Sequence, residues 1–113
     1  MPDTSFEEIE IDIEAAKELV QKGDALDRLT NSADFRNIIS QGYFQEEAVR
    51  LVHLKSSAAM KNEDMQKAVI TSIDAIGNLA QYFAKIMSQA EMARSSIEDS
   101  HELLTEMAEE GAL

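Results

Sequence analysis

Between Asn62 and Glu110 the chain holds no proline and a single glycine, Gly77. Apolar residues recur there as Met65, Val69, Ile73, Ile76, Ala80, Phe83, Met87 and Ala90, with Ile70, Leu79 and Ile86 beside them. The steps are fours and threes, alternating from Val69 onward. A mean spacing of ~3.5 residues is the repeat of a helix that packs along a seam with other helices, as in a coiled coil. Asn62 is placed to cap the first free amides, and Glu63 and Asp64 suit the positive end of a helix dipole. Beyond Ala90 the stripe thins. Arg94 interrupts it, and Ile97, His101, Leu104 and Ala108 follow in phase. A continuous helix would be ~70 Å long at ~1.5 Å per residue, and Ser95-Ser96 is where it could fold back.

That length constrains everything else. Residues 12–61 read as a head of short helices, each ~15 Å long or a little more, which cannot cover a ~70 Å stripe. The remainder needs another copy of the chain, a partner, or a fold-back at Ser95-Ser96. Val69, Ile73, Ile76, Ala80, Phe83, Met87 and Ala90 are therefore the expected oligomer or partner interface. Strong helix formers dominate the composition and β-branched residues are scattered, which makes the expected class all-α. The expected architecture is short helices packed at a glycine and aromatic corner plus one long C-terminal helix, in an oligomeric bundle.

The organisation reads as an acidic tail over residues 1–11, the short-helix head over 12–61 and the long helix over 62–110. In the opening EEIEIDIEAAKELV, Ile9, Ile11 and Ile13 alternate with acids like a strand, while Ile9, Ile13, Ala16 and Val20 share one helical face. Residues 1–8 read as a loose tail and a helix runs from about Asp12 to Lys22. Gly23 then marks a break or bend, and Asp24 can cap a short segment with Leu26 and Leu29 facing inward.

Half of the six aromatic residues lie in SADFRNIISQGYFQEEAVRLV, residues 32–52. Asn31-Ser32 offers an N-cap, with Phe35, Ile38 and Ile39 on one side of the helix that follows. Gly42 stands where a left-handed C′ glycine belongs. Phe35, Ile39, Gly42, Tyr43 and Phe44 thus form a helix corner. The aromatic rings bury a large area for little backbone there, and an exposed docking patch is the other reading. Beyond it Ala48, Leu51, Val52 and Lys55 make a stripe flanked by Leu54.

The same residues carry a resemblance. Asn31, Asp34 and Phe35 match an N-x-x-D-F turn. Ile39, Gly42, Tyr43, Phe44, Glu46, Glu47, Ala48, Arg50 and Leu51 match a corner followed by a long helix, and the pattern resembles one recurrent in small proteins of tailed bacteriophages. The likeness covers roughly residues 25–90 and omits both ends. It implies a helical protein of virion structure or assembly, found in the virion or the host cytoplasm. It brings no catalytic residue with it.

Charge is placed unevenly. The formal net charge is −12. Residues 1–14 hold six acids and no base, residues 98–113 hold six acids and no Lys or Arg, and the middle balances ten against ten. Such ends are repelled by phosphate backbones and anionic bilayers and attracted by basic protein surfaces. Solubility and self-repulsion of frayed ends is the plainer account. The N-terminus lacks the basic and apolar regions of a secretory signal, and no apolar run reaches ~18 residues.

Little in the chain suggests reaction chemistry. Cysteine is absent, which excludes disulfides and thiolate sites. There is no G-x-S-x-G, Walker A or G-x-G-x-x-G motif. His53 sits beside an apolar stripe and reads as a partly buried structural residue. Glu98-x-x-His101 has the spacing of bundle di-iron ligands, but a second such motif would have to come from another copy. Arg36, Arg50 and Lys55 make a poor nucleic-acid footprint amid acids. Met60, Met65, Met87 and Met92 suit core filling or an adaptable surface.

The expectation is a non-enzymatic, cofactor-free structural or assembly protein acting through helix packing. It would be a minor virion component, or scaffold-like or chaperone-like. Its partners would be further copies of itself and a larger, basic protein such as a capsid or portal protein, with no membrane and no direct nucleic-acid contact. The alternative is a small acidic regulator that occupies a basic groove of a nucleic-acid-processing protein.

Overall fold

A computed structural model describes residues 6–111, the side chain of Met60 excepted. The expectation of a loose segment over residues 1–5 lies outside the described residues. Every regular element among the described residues is helical. Helix α1 spans Phe6–Thr30, α2 is the single turn Ala33–Phe35, a π-helix spans Arg36–Glu47, α3 spans Ala48–Lys55, a 3₁₀ turn spans Ala58–Met60, and α4 spans Glu63–Glu109. The all-α class and the long C-terminal helix stand as expected. Asp27–Ala84 forms one compact unit, and the chain on either side of it, up to Leu26 and from Lys85, forms the other. This division cuts across the segments 12–61 and 62–110, because α1 and α4 each contribute to both units.

The outer unit pairs α1 with the second half of α4. Helix α1 is already formed at Phe6, well before Asp12, and it runs straight through Gly23. The alternating isoleucines resolve by helical geometry: Ile9 and Ile13, four apart, are buried, while Ile11 between them is 66% exposed. Ala16, Gly23 and Leu26 continue the buried face. Ile86, Ala90 and Ala93 are its counterpart on α4, with Ile97 and Leu104 half-buried. Gly23 meets Ala90. Arg94 Nη2 donates to Asp24 Oδ1 at 2.7 Å. Near the start of α1, Phe6 and Ile13 border the same cleft as His101 and Leu104. Numbers rise along one helix as they fall along the other, so the pair is antiparallel. Small residues at Ala16, Gly23, Ala90 and Ala93 let the two helices approach closely.

Gly23 is therefore a packing position, which corrects its reading as a break. Gly in a helix costs roughly 1 kcal/mol of propensity, and close contact with Ala90 offsets it. Ser95-Ser96 is likewise continuous helix. The register explains why it looks interrupted in sequence. The buried positions keep a seven-residue repeat, with Val69, Ile76 and Ala90 in one line and Ile86 and Ala93 in the other. The stripe expected through Met87 and Arg94 runs one residue later than that second line, which leaves Arg94 at its edge.

In the inner unit, Thr30, Asn31 and Ser32 close the end of α1 by donating side-chain hydrogen bonds to the carbonyls of Asp27 and Leu29. Leu29 itself is exposed, against the inward position expected for it. Ser32 Oγ then accepts from Phe35 N at 3.2 Å as the expected N-cap. Asn62 Oδ1 accepts from Asp64 N at 2.8 Å and from Met65 N at 3.3 Å, starting α4 as expected. Gln66 Nε2 donates to the Lys55 carbonyl and so satisfies a free acceptor at the end of α3. Leu51, Val69 and Ile76 form the core, with Tyr43, Phe44, Ala48, Leu54 and Ile73 packed on it. Val52, placed on that stripe from sequence, is exposed.

Gly42 requires a second correction. The chain stays helical through it, inside the π-helix, and a Cβ there would stand 3.2 Å from the Asn37 carbonyl five residues back. The glycine in the left-handed region is Gly111, with φ +73°, where Gly111 N donates to the Ala108 carbonyl after α4 ends.

Candidate binding surface

The aromatic residues converge on one ring. Phe83 of α4 lies 5.9 Å from Phe35 and 6.0 Å from Phe44, centroid to centroid, and Tyr43 lies 5.9 Å from Phe44. These are tilted or edge-on contacts of the favourable kind. The corner residues Phe35, Ile39, Tyr43 and Phe44 are half-buried, so this cluster is chiefly internal packing. Sequence spacing places Phe83 on an outward seam, and the structure makes it the hub of that packing.

The other residues expected at an oligomer interface divide in the same way. Val69, Ile76 and Ala90 are buried within the chain and Ile73 is half-buried, whereas Ala80 and Met87 are exposed. The seam expected to need a second copy is covered from Ile86 onward by α1, which is twice as long as expected.

What remains on the surface is a different set. In the outer unit, Asp12, Ala15, Ala16 and Leu19 of α1 and Gln89, Met92, Ala93 and Ser96 of α4 line an open groove of about 480 Å³. Asp12 is the single ionisable group among them. Met92 is 68% exposed and Leu19 38%. Sequence reasoning groups Met92 only loosely, as a methionine of the helical half. Its position three residues from Gln89 and four from Ser96 carries the signal. The reverse side of the same helix pair is charged, with Glu10, Glu14, Lys17 and His101 around a smaller cleft. In the inner unit, Ile38, Val49, Val52, Met65 and Ile70 are exposed on helix surfaces.

Charge separates the units sharply. The outer unit's sequence holds fifteen acids and four bases, the inner one seven acids and six bases. Ion pairs in both are superficial. Arg50 holds Glu47 through two 2.7 Å hydrogen bonds, and the hydrogen bond from Arg50, with its charge, keeps the Glu47 carboxyl below its ordinary range.

Both histidines are exposed, which corrects the half-buried position expected for His53. Among the described residues no three His, Asp or Glu side chains gather in a metal-binding group, at Glu98 and His101 or elsewhere. No described helix is long and apolar enough to cross a membrane. No protein-family model matches the chain, and no curated protein and no solved structure matches it.

Proposed function

We propose that this chain is a non-enzymatic assembly protein that binds a larger partner by helix packing. Its setting would be the tailed-phage particle that the 31–51 pattern implies, as a minor virion component, scaffold-like or chaperone-like protein. One observation carries the reading. The helices bury their main seams against each other and still leave an apolar groove, between Leu19 and Met92, open to solvent. An open groove with apolar walls is a shape in which the side chains of a partner helix can seat. The expectation of a homo-oligomer rests on a stripe without cover. With α1 lying on the second half of α4, that premise falls away there, and a heterologous partner becomes the stronger expectation.

A photo-crosslinking residue placed at Met92 or Val52 in the producing cell tests this. The reading expects one discrete adduct of defined mass from at least one of these positions and none from Lys61 or Glu106 on exposed polar faces. Equal diffuse labelling at all four positions counts against it.

The charge of the outer unit favours a second reading, the acidic regulator of a nucleic-acid-processing protein. It predicts that neutralising Glu102, Glu106 and Glu109 abolishes binding while Met92→Glu leaves it intact. The assembly reading predicts the reverse.

A further inference from the structure

We infer that the groove between α1 and α4 in the outer unit docks an amphipathic helix of a partner protein, with an apolar stripe and a basic end. This rests on the assembly reading and names its site and partner chemistry. The groove runs between two antiparallel helices whose line of small side chains, Ala15, Ala16 and Ala93, makes a trough, with Leu19 and Met92 as its walls. A trough of this shape accepts the side chains of a third helix laid along it, which completes a three-helix layer. Methionine at a wall adapts to different apolar partners because its side chain is unbranched and flexible.

Charge complementarity selects the occupant. Asp12 lies at one end of the groove, and Asp99 follows Ser96 by three residues, so helical geometry puts it on the same side of α4. Lys22 follows Leu19 by three and Lys85 precedes Gln89 by four, at the opposite end. Beyond these four groups the described residues of the unit hold twelve further acids and two further bases. A second copy of the chain docking through this same unit would bring its own excess of acids to the groove and be repelled. A partner helix with Lys or Arg at one end is attracted, and the gradient orients that end toward Asp12 and Asp99.

The probe is a synthetic amphipathic helix with a leucine and alanine stripe and three lysines at one end. Its control keeps the stripe and replaces the lysines with glutamates. Full-length protein labelled at the methionine methyl groups reports the site by NMR. The expected result is saturable binding of the basic peptide, with the Met92 methyl moving and Met65 unmoved, and at least tenfold weaker binding of the acidic control. Asp12→Asn with Asp99→Asn should weaken binding by about tenfold and flatten its salt dependence. Met92→Glu and Leu19→Glu, both at exposed positions, should abolish it with helicity and thermal midpoint unchanged. Equal binding of both peptides, or movement at Met65 without Met92, overturns the inference. So does a concentration-dependent Met92 shift without peptide, which would make the occupant a second copy. Discrete crosslinks at Val52 alone would leave the assembly reading standing while this groove falls. Absence of discrete crosslinks at both positions would remove the assembly reading itself.

Discussion

Gly23 lies against Ala90 with no room for a methyl group between them. This contact fixes how closely α1 approaches α4, and it makes two glycines of the chain behave oppositely. At Gly23 an alanine gains ~1 kcal/mol of helix propensity but overpacks a rigid neighbour, at a cost of ~1–3 kcal/mol. Gly77, inside the same long helix as Ala90, has open space around the position a Cβ would take, with nothing within 4 Å. Gly23→Ala is expected to lower the urea midpoint, and Gly77→Ala to raise stability by ~0.5–1 kcal/mol. Two stabilised variants would mean that the α1–α4 contact is looser than described.

Neighbouring residues on α4 discriminate the register. Ile86 is 7% exposed and Met87 38%. Ile86→Ala should cost about 2–4 kcal/mol through lost burial and a residual cavity. Met87→Ala should stay within about 1 kcal/mol. A seam drawn through Ala80, Met87 and Arg94 predicts the opposite order, and equilibrium unfolding of the two variants decides between them.

Phe83→Ala removes the ring on which Phe35 and Phe44 converge. The side chain is half-buried, so a loss of about 2–3 kcal/mol is expected, toward the low end for aromatic truncation. In a Tyr82→Phe background, which removes the tyrosine that itself touches Phe83, the fluorescence of Tyr43 should also change, since its neighbour Phe44 loses its contact. An unchanged unfolding midpoint would show that the aromatic cluster is not part of the core.

Glu47 carries the pH dependence that geometry supports. The hydrogen bond from Arg50 lowers its pKa in the folded chain below 4.5, and desolvation opposes this only in part. A depressed carboxyl contributes stability above its unfolded pKa, and that contribution is lost as pH falls through the folded value. The same hydrogen bond shifts Arg50 further upward, so it stays charged throughout this range. The Glu47 carboxyl should therefore titrate at lower pH in the native chain than in Arg50→Gln, followed by side-chain carboxyl NMR. Identical titrations would mean that the pair does not persist in solution.

Much of this fold is written in local pattern. The caps at Ser32 and Asn62, the uninterrupted run after Asn62 and the predominance of helix formers all lead to elements that form where they point. The departures have a common cause. Gly23 and Gly42 invite a reading as points of backbone freedom, yet both sit inside helices, and at Gly23 the reason is a neighbour 67 residues away. Local propensity carries no information about such a contact. The stripe read along α4 takes Ala80, Met87 and Arg94 as one of its lines where burial follows Leu79, Ile86 and Ala93, one residue earlier, and with apolar residues in both lines nothing local marks which one faces the neighbouring helix. Phe35, Tyr43 and Phe44 are legible as packing residues, but their meeting point at Phe83 is not. The groove is least legible of all. Ala15, Leu19, Met92 and Ser96 follow no conspicuous pattern until α1 is laid antiparallel on α4.

The central claim is that α1 covers the second half of α4 within one chain. The sequence has no cysteine, so single spin labels can be placed at Lys17 and His101, which border one cleft on the two helices. Pulsed electron spin resonance on the doubly labelled chain measures their separation, with and without dilution by unlabelled protein. The account predicts one narrow, short distance, set by helix axes roughly 8–10 Å apart plus the label arms, and unchanged on dilution. A distance that is long, or that is short only in the undiluted sample, would place α1 on another molecule or away from α4 and contradict it.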